Sequence, residues 1–190
     1  STSTLKENAV LAGWDINLGA GYQKASLTQT AEGFVNYPKL LAALNDPVNP
    51  LKLTGGNPAE RMADIAPKQT KKPTNEYDFV ELRGTRDLMK LDGGALGLAL
   101  GGSYYYQKLD ADNYADCKTG SVAGLNCFYG LGTEKNSAFY AEINAPVTKT
   151  LELGAAVRYD HYSSYGGQWT PKLSTKWTPM KEVAVRGTWG

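Results

Sequence analysis

Arg158, Asp160 and His161 fall within one short stretch, "LELGAAVRYDHYSSYGG", residues 151–167. Side chains of this kind invite acid–base chemistry. An aspartate beside the only histidine of the chain is the beginning of a dyad in which a carboxylate orients an imidazole. Adjacent residues of a strand, however, point to opposite faces, so Asp160 and His161 diverge if this stretch is extended. No nucleophile is marked out nearby. A lone histidine between Asp160 and Tyr162 reads as a polar rim residue rather than a metal ligand. No enzymatic activity, metal or cofactor is expected.

The other reactive groups are Cys117 and Cys127, in the glycine-rich stretch "DCKTGSVAGLNCFYG". Two cysteines without a nearby histidine supply too few ligands for zinc. A local disulfide formed in an oxidising compartment is expected instead, and would stabilise the loop by roughly 2–4 kcal/mol.

The element that carries Arg158 and Asp160 alternates. Leu151, Leu153, Ala155, Val157 and Tyr159 are interleaved with Glu152, Gly154, Ala156, Arg158 and Asp160. Such a strand is greasy on one face and polar on the other. The same period recurs in "NAVLAGWDINLGAGYQKA", "GALGLALGGSYYYQK", "SAFYAEINAPV", "PKLSTKWTP" and "EVAVRGTWG", and with a less clean phase in "EYDFVELRGTRDL", where Val80 and Leu82 oppose Glu81 and Arg83; with the opening stretch this makes seven predicted strands. In the first of these, the apolar series is Val10, Ala12, Trp14, Ile16, Leu18, Ala20 and Tyr22. The connections alternate between long and short. Lys24 to Thr74 is long and contains "YPKLLAALNDP", a predicted short helix ended by Pro47. "LDGG" is a tight turn, and the cysteine loop is long. "APVTKT" and "TPMKE" are short. In an antiparallel meander this puts the long connections at one end and the tight turns at the other.

Composition narrows the class. The 190 residues carry a net charge of +1, which leaves no basic excess to neutralise phosphates and excludes nucleic acid as a main partner. The chain holds 21 Gly and 12 Tyr, a bias that suits a β-rich chain with many turns. No run approaches the ~20 apolar residues of a transmembrane helix. "STSTLKENAV" lacks the basic end and apolar core of a signal peptide, and a mature or truncated chain is expected.

Alternation alone fits a soluble sandwich as well as a membrane barrel. Three features favour the barrel. Several strands reach the ~9–11 residues needed to cross a bilayer. The loops are one-sided. Aromatic residues gather near strand ends, with Trp14 and Trp177 toward the tight turns and Tyr104, Tyr106, Tyr159 and Tyr162 toward the long loops. Glu142, Arg158, Asp160, Lys172, Lys176 and Arg186 all occupy the polar phase. The fold expected is all-β, an antiparallel up-and-down meander forming part of a transmembrane β-barrel over residues 1–190, with long external loops at about 24–74 and 108–136.

The stretch from Phe139 to Gly190 resembles the barrel domain of TonB-dependent receptors of the Gram-negative outer membrane. The resemblance rests on Ala141-Glu142-Ile143-Asn144-Ala145-Pro146, Arg158-Tyr159-Asp160-His161-Tyr162, Pro171-Lys172, Trp177-Thr178-Pro179 and Arg186-Gly187-Thr188-Trp189, in that order. "LRGTRDLMKLDGGALGLALGGSYYY" also resembles a hairpin of the family. Departures are Gln168-Trp169-Thr170, where the family has small residues and Asn, and the stop at Gly190. Barrels of the family have about 22 strands around a plugged lumen. This chain is therefore expected to be an internal slice, with neither plug domain nor TonB box.

The resemblance implies active uptake of a scarce solute, such as a ferric siderophore, across the outer membrane. Its partners would be outer-membrane lipid, the TonB complex acting through a plug not in this chain, and a small-molecule ligand. The six charges named above would then face the lumen. Candidate ligand contacts at the loop side are Tyr105, Tyr114, Phe128, Tyr129, Tyr162, Tyr165 and Trp169, whereas Tyr104, Tyr106 and Tyr159 read as interface anchors. A passive porin or structural barrel, and a soluble β-sandwich binding module, are the alternatives.

Overall fold

The computed structural model describes residues 1–190. In chain order the elements are β1 (Thr2–Leu11), β2 (Trp14–Ser26), β3 (Gln29–Ala31), α1 (Tyr37–Leu44), α2 (Ala59–Ile65), β4 (Gln69–Lys71), β5 (Thr74–Leu91), β6 (Gly94–Ala111), α3 (Ala115–Lys118), β7 (Gly130–Pro146), β8 (Leu151–Tyr162), β9 (Gly166–Met180) and β10 (Val183–Trp189). They form two compact units. The first holds residues 1–24, 76–107 and 133–190, and the second holds 25–75 and 108–132.

The first unit is built on a single eight-stranded sheet in the order β1-β2-β5-β6-β7-β8-β9-β10. Neighbours in the sheet follow one another along the chain once the two long connections are passed over, which is an up-and-down meander. One sheet, rather than two facing each other, rules out the sandwich reading. Strands β5 and β6 have 18 residues each and β7 has 17, well beyond the usual soluble length of about 5–6. Tight connections follow β1, β5, β7 and β9, and the longest ones, Leu27–Pro73 and Asp112–Tyr129, follow β2 and β6. Pro146 ends β7, where its missing N–H no longer matters to the ladder.

The N-terminal region departs from the sequence expectation. The run around Val10–Tyr22 is not one strand but a hairpin that turns at Ala12 and Gly13, whose φ angles are +50° and +79°. Two consecutive positive φ values suit a two-residue hairpin turn. Leu11 pairs with Trp14, Ala9 with Ile16 and Leu5 with Ala20, so these residues share the apolar face. Val10 pairs with Asp15 and lies on the other face. A two-residue turn inverts the parity between its strands, and the alternation therefore reads through it in the wrong phase.

Register fixes the faces of the C-terminal half. Phe139–Tyr159–Trp169 and Ile143–Ala155–Leu173–Trp189 are cross-strand rows of the apolar face. Glu142–Ala156–Lys172 and Pro146–Glu152–Lys176–Arg186 are rows of the polar face. No large side chain of the chain is fully buried, and Phe139, Leu173, Trp169 and Trp189 are exposed. A one-layer sheet has no second layer to cover them.

The second unit is stitched from its two segments. Asn36 caps α1 by accepting from Lys39 N at 3.2 Å. Arg61 of α2 donates to Ala43 O at 3.1 Å and to Asp46 at 3.3 Å, and Lys39 reaches Asp64 at 2.8 Å. The helix expected within residues 37–47 is α1, with Pro47 three residues beyond its end. Gln69 and Asp116 bond reciprocally: the Gln69 amide donates at 3.1 Å, and Asp116 N donates back at 3.0 Å. Tyr37 N donates to Ser121 O at 2.8 Å. Cys117 and Cys127 form a disulfide that closes the segment between them.

Candidate functional site

The polar face of the sheet is where side chains with chemistry converge. In β7 and β8 that face takes the even-numbered residues, since Tyr140 pairs with Arg158 and Asn136 with Tyr162. Arg158 and Asp160 lie two apart on β8 and meet as a bidentate pair, Nε to Oδ2 at 2.8 Å and Nη2 to Oδ1 at 2.9 Å. His161 pairs with Ser137 and Gly167 on the opposite phase. The Asp160 carboxylate is thus turned away from the imidazole and engaged by a guanidinium. Lys176 stands directly opposite Glu152, with Nζ 3.5 Å from the carboxylate. Exposed pairs of this kind are worth about 0–1 kcal/mol, so they give the face its polarity more than its stability.

Glycines let aromatic rings lie on this polar face. A Cβ at Gly21 would overlap the Phe79 ring, and one at Gly101 would overlap the Tyr140 ring. Aromatic cover over glycine is a recurrent device in curved sheets. Tyr77, Phe79 and Tyr105 form a cluster of rings with centroids 5.9–6.4 Å apart and planes 25–36° from parallel. The Tyr105 hydroxyl donates to the Glu81 carboxylate. Three grooves open on this face. One, of about 560 Å³, is lined by Lys6, Asn8, Asn17, Glu81, Arg83 and Arg158 among others. A second, of about 430 Å³, is lined by Asp15, Arg83, Arg86, Asp87, Glu142 and Asn144 among others. The third, of about 320 Å³, is lined by Tyr77, Tyr105, Gln107, Glu134, Asn136, Arg158 and Tyr162. The apolar face carries an open groove of about 850 Å³, lined by Trp14, Ile16, Val80, Leu82, Leu100 and Phe139 with glycine between them. It offers shape but almost no polar atoms, and suits hydrocarbon rather than a recognised solute.

The structure distributes the candidate residues as follows. Glu142, Arg158, Asp160, Lys172, Lys176 and Arg186 share the polar face. Tyr105 and Tyr162 are strand residues that line the smallest polar groove. Trp169 is also a strand residue, but it stands on the apolar face against Tyr159, with ring centroids 4.8 Å apart. Tyr165 lies in the three-residue turn after β8, almost fully exposed and edge-on to Tyr162. In the second unit, Phe128 and Tyr129 are exposed. Tyr114 caps α3 and is buried, its ring beneath Lys71 Nζ at 4.8 Å. Lys71 also donates to Phe128 O at 3.1 Å, so Tyr114 and Lys71 act in fixing the cysteine loop. Tyr77, Phe79, Tyr140 and Asn136 were not singled out from the sequence. Their odd or even phase on β5 and β7 was the available signal.

Over residues 5–190 the sequence matches the TonB-dependent receptor-like β-barrel family. The chain belongs to that family. Its members are transport receptors of the Gram-negative outer membrane, and this chain is part of a transmembrane β-barrel. Among solved structures it is similar to the siderophore receptor PirA from Acinetobacter baumannii, with a TM-score of 0.64 and 13% identity over 98% of this chain. At that identity the likeness is one of fold. The chain spans 24% of the length of that receptor. No curated protein matches the sequence.

Proposed function

We propose that the chain is a wall segment of an outer-membrane receptor that takes up a scarce solute, such as a ferric siderophore, with energy delivered by the TonB complex through a plug domain elsewhere in the receptor. The observation that carries this reading is the two-faced single sheet in a chain of this family. All six charged candidates sit on one face of it, and bare Trp, Phe and Leu sit on the other. The apolar face meets lipid, where a Lys or Arg at mid-bilayer would cost about 2–4 kcal/mol, and the polar face lines the lumen. The connections Leu27–Pro73 and Asp112–Tyr129 are external. Phe128, Tyr129, Tyr162 and Tyr165 are the exposed aromatic side chains best placed to touch a ligand. No bond is made or broken in such a process. Recognition by the loops and the lumen wall, followed by a forced change in the plug, is sufficient.

The test is uptake by cells that depend on the intact receptor, with and without a functional TonB complex. Accumulation of the solute, measured under limitation for it, should fall to the background of receptor-less cells when TonB is removed. Accumulation that persists unchanged without TonB would instead favour a passive porin.

A further inference from the structure

His161, the only histidine of the chain, has no part in the polar face. It stands on the apolar phase of β8, two residues beyond Tyr159, and pairs with Ser137 and Gly167. The next position of that phase on β7 is Lys135, whose N–H donates to Ser163 Oγ at 3.0 Å. Lys135 and His161 are therefore diagonal neighbours, about 7–8 Å apart at the backbone. Their side chains can close that gap around one small group. Both are exposed, and neither enters any ion pair of the chain. The carboxylates beside them in sequence, Glu134 and Asp160, fall in the other phase and are engaged there. Glu134 accepts from the Ser163 hydroxyl at 2.7 Å and the Ser164 N–H at 3.3 Å, and Asp160 accepts from Arg158.

Two aromatic rows set the height of this pair on the sheet. Leu151 and Trp177 mark the row nearer the tight turns, and Phe139, Tyr159 and Trp169 the row nearer the loops. No charged side chain stands on the apolar phase of β7–β9 between the two rows. Eight residues of β9 separate Trp177 from Trp169. That is about 26 Å along a strand, and about 20 Å of depth at the usual tilt, most of the ~25 Å apolar band of a membrane barrel. Lys135 and His161 lie just past it, at the level of lipid headgroups. They are the only Lys, Arg, His, Asp or Glu on that phase of the three strands.

We infer that Lys135, His161 and Ser137 form a docking site for the phosphate of an outer-leaflet lipid. The ammonium supplies a full charge, and the imidazole N–H and the Ser137 hydroxyl donate to phosphate oxygens, which makes a charge-assisted set. The acyl chains of the same lipid continue over the exposed rings of Phe139 and Trp169. A headgroup without phosphate gives the ammonium no partner, and a free phosphate has no chains to lay on the aromatic row. The inference rests on the reading above, in which the apolar face meets lipid and the long connections are external, and adds the headgroup that this part of the rim selects.

The experiment uses the intact receptor in detergent micelles doped with phosphatidic acid or with diacylglycerol of the same chains. Native mass spectrometry counts the lipids each receptor retains. Lys135→Gln should weaken retention of phosphatidic acid about fivefold, the effect of one basic side chain near an anionic lipid. Lys135→Gln combined with His161→Gln should retain one phosphatidic acid fewer than the wild type, and Lys135→Arg should keep it. Lys52→Gln removes a charge in the second unit and should change nothing. Inorganic phosphate in large excess should not displace the lipid. Both side chains are exposed and unpaired, so the fold should survive, and heat-modifiable gel mobility checks that. Equal retention of phosphatidic acid by the wild type and the double variant overturns the inference, whether both retain it or neither does. So does an equal loss in Lys52→Gln, which marks a general charge effect, or an equal loss of diacylglycerol in the double variant, which marks an apolar contact. Displacement by inorganic phosphate overturns it too, since the site then takes a free anion. Quenching of tryptophan fluorescence by brominated phosphatidylcholine tests the lipid-covered face separately. Equal quenching in the wild type and the double variant leaves that reading standing when the phosphate site fails, and no quenching in either overturns both.

Discussion

Gly93 shows how closely a single residue is constrained on a sheet with tight turns at one end. It sits in the turn between β5 and β6, and its N–H donates to Pro146 O at 3.2 Å in the neighbouring strand. A Cβ built there would fall on the backbone of the next turn, with Pro146 O at 2.6 Å and Thr148 O closer still. Backbone cannot swing aside as the end of a side chain can. Gly93→Ala should therefore destabilise the assembled barrel by about 1–3 kcal/mol, the range for overpacking, read as a lower midpoint of heat-modifiable gel mobility. Gly132→Ala, where nothing lies within 4 Å, should leave the midpoint unchanged and serves as the control. At this scale the sequence was readable where parity alone decides. Glu142, Arg158, Asp160, Lys172, Lys176 and Arg186 could all be placed on one face by counting in twos. Trp169 was expected at the loop side, but β9 begins at Gly166 and carries it as a strand residue opposite Tyr159 on the apolar face. Tyr114 was not readable. Its ring lies beneath Lys71, far away in the chain, and no local pattern announces that contact.

Among the elements, the strands from β6 onward were legible because each has a period of two, whereas the phase of β5 was not, because Tyr77 and Phe79 lay aromatic rings on its polar face. The turn at Ala12–Gly13 was not, because the apolar alternation of β2 carries on through it into β1 at Val10, which lies on the polar face. Helices α2 and α3 and the β3–β4 pair were also missed. They are three to seven residues long, too short for any period to emerge, and are held by cross-links between distant segments such as Gln69–Asp116. Those cross-links make a prediction. Backbone N–H groups of Asn49 and Val48, with Arg61 beside them, hold the Asp46 carboxyl below its ordinary value. The Lys118 ammonium, then the Asn113 N–H, does the same for Asp112. A depressed carboxyl means that the unfolded segment binds more protons in the intervening range, so local stability rises with pH. The contribution is complete above the ordinary carboxylate value of about 4 and is lost as pH falls through the lower folded values. Amide exchange in residues 46–49, corrected for intrinsic rates, should therefore accelerate as the medium is acidified below about pH 4. Asp46→Asn should exchange fast throughout and show no such step. A step of equal size in that variant would show that Asp46 is not the titrating group.

The whole molecule is governed by what a single sheet leaves uncovered. A compact globular protein of 20.5 kDa would expose roughly 8,900 Å². This chain exposes 13098 Å², about half as much again. The buried apolar residues are few and mostly small, namely Ala31, Ile65, Ala99, Ala111, Tyr114 and Ala138. Two further costs attend the sheet. Strands β1 and β10 each have one neighbour, so one edge of each presents unpaired N–H and C=O groups. In a bilayer such edges are intolerable, since nothing there replaces water, and barrels remove them by closure. In buffer the edges are solvated, but the apolar face with Phe139, Leu173, Trp169 and Trp189 is not covered. Neither solvent suits the chain alone: lipid would cover the face and strand the edges, and water would do the reverse. The isolated chain should therefore aggregate or remain unfolded in detergent-free buffer, and should acquire its sheet only when the remaining strands close the barrel. Sedimentation and amide proton dispersion measure this directly. A monodisperse monomer with well-dispersed amides and a cooperative melt in buffer would contradict it, because such behaviour requires a buried core that this sheet lacks.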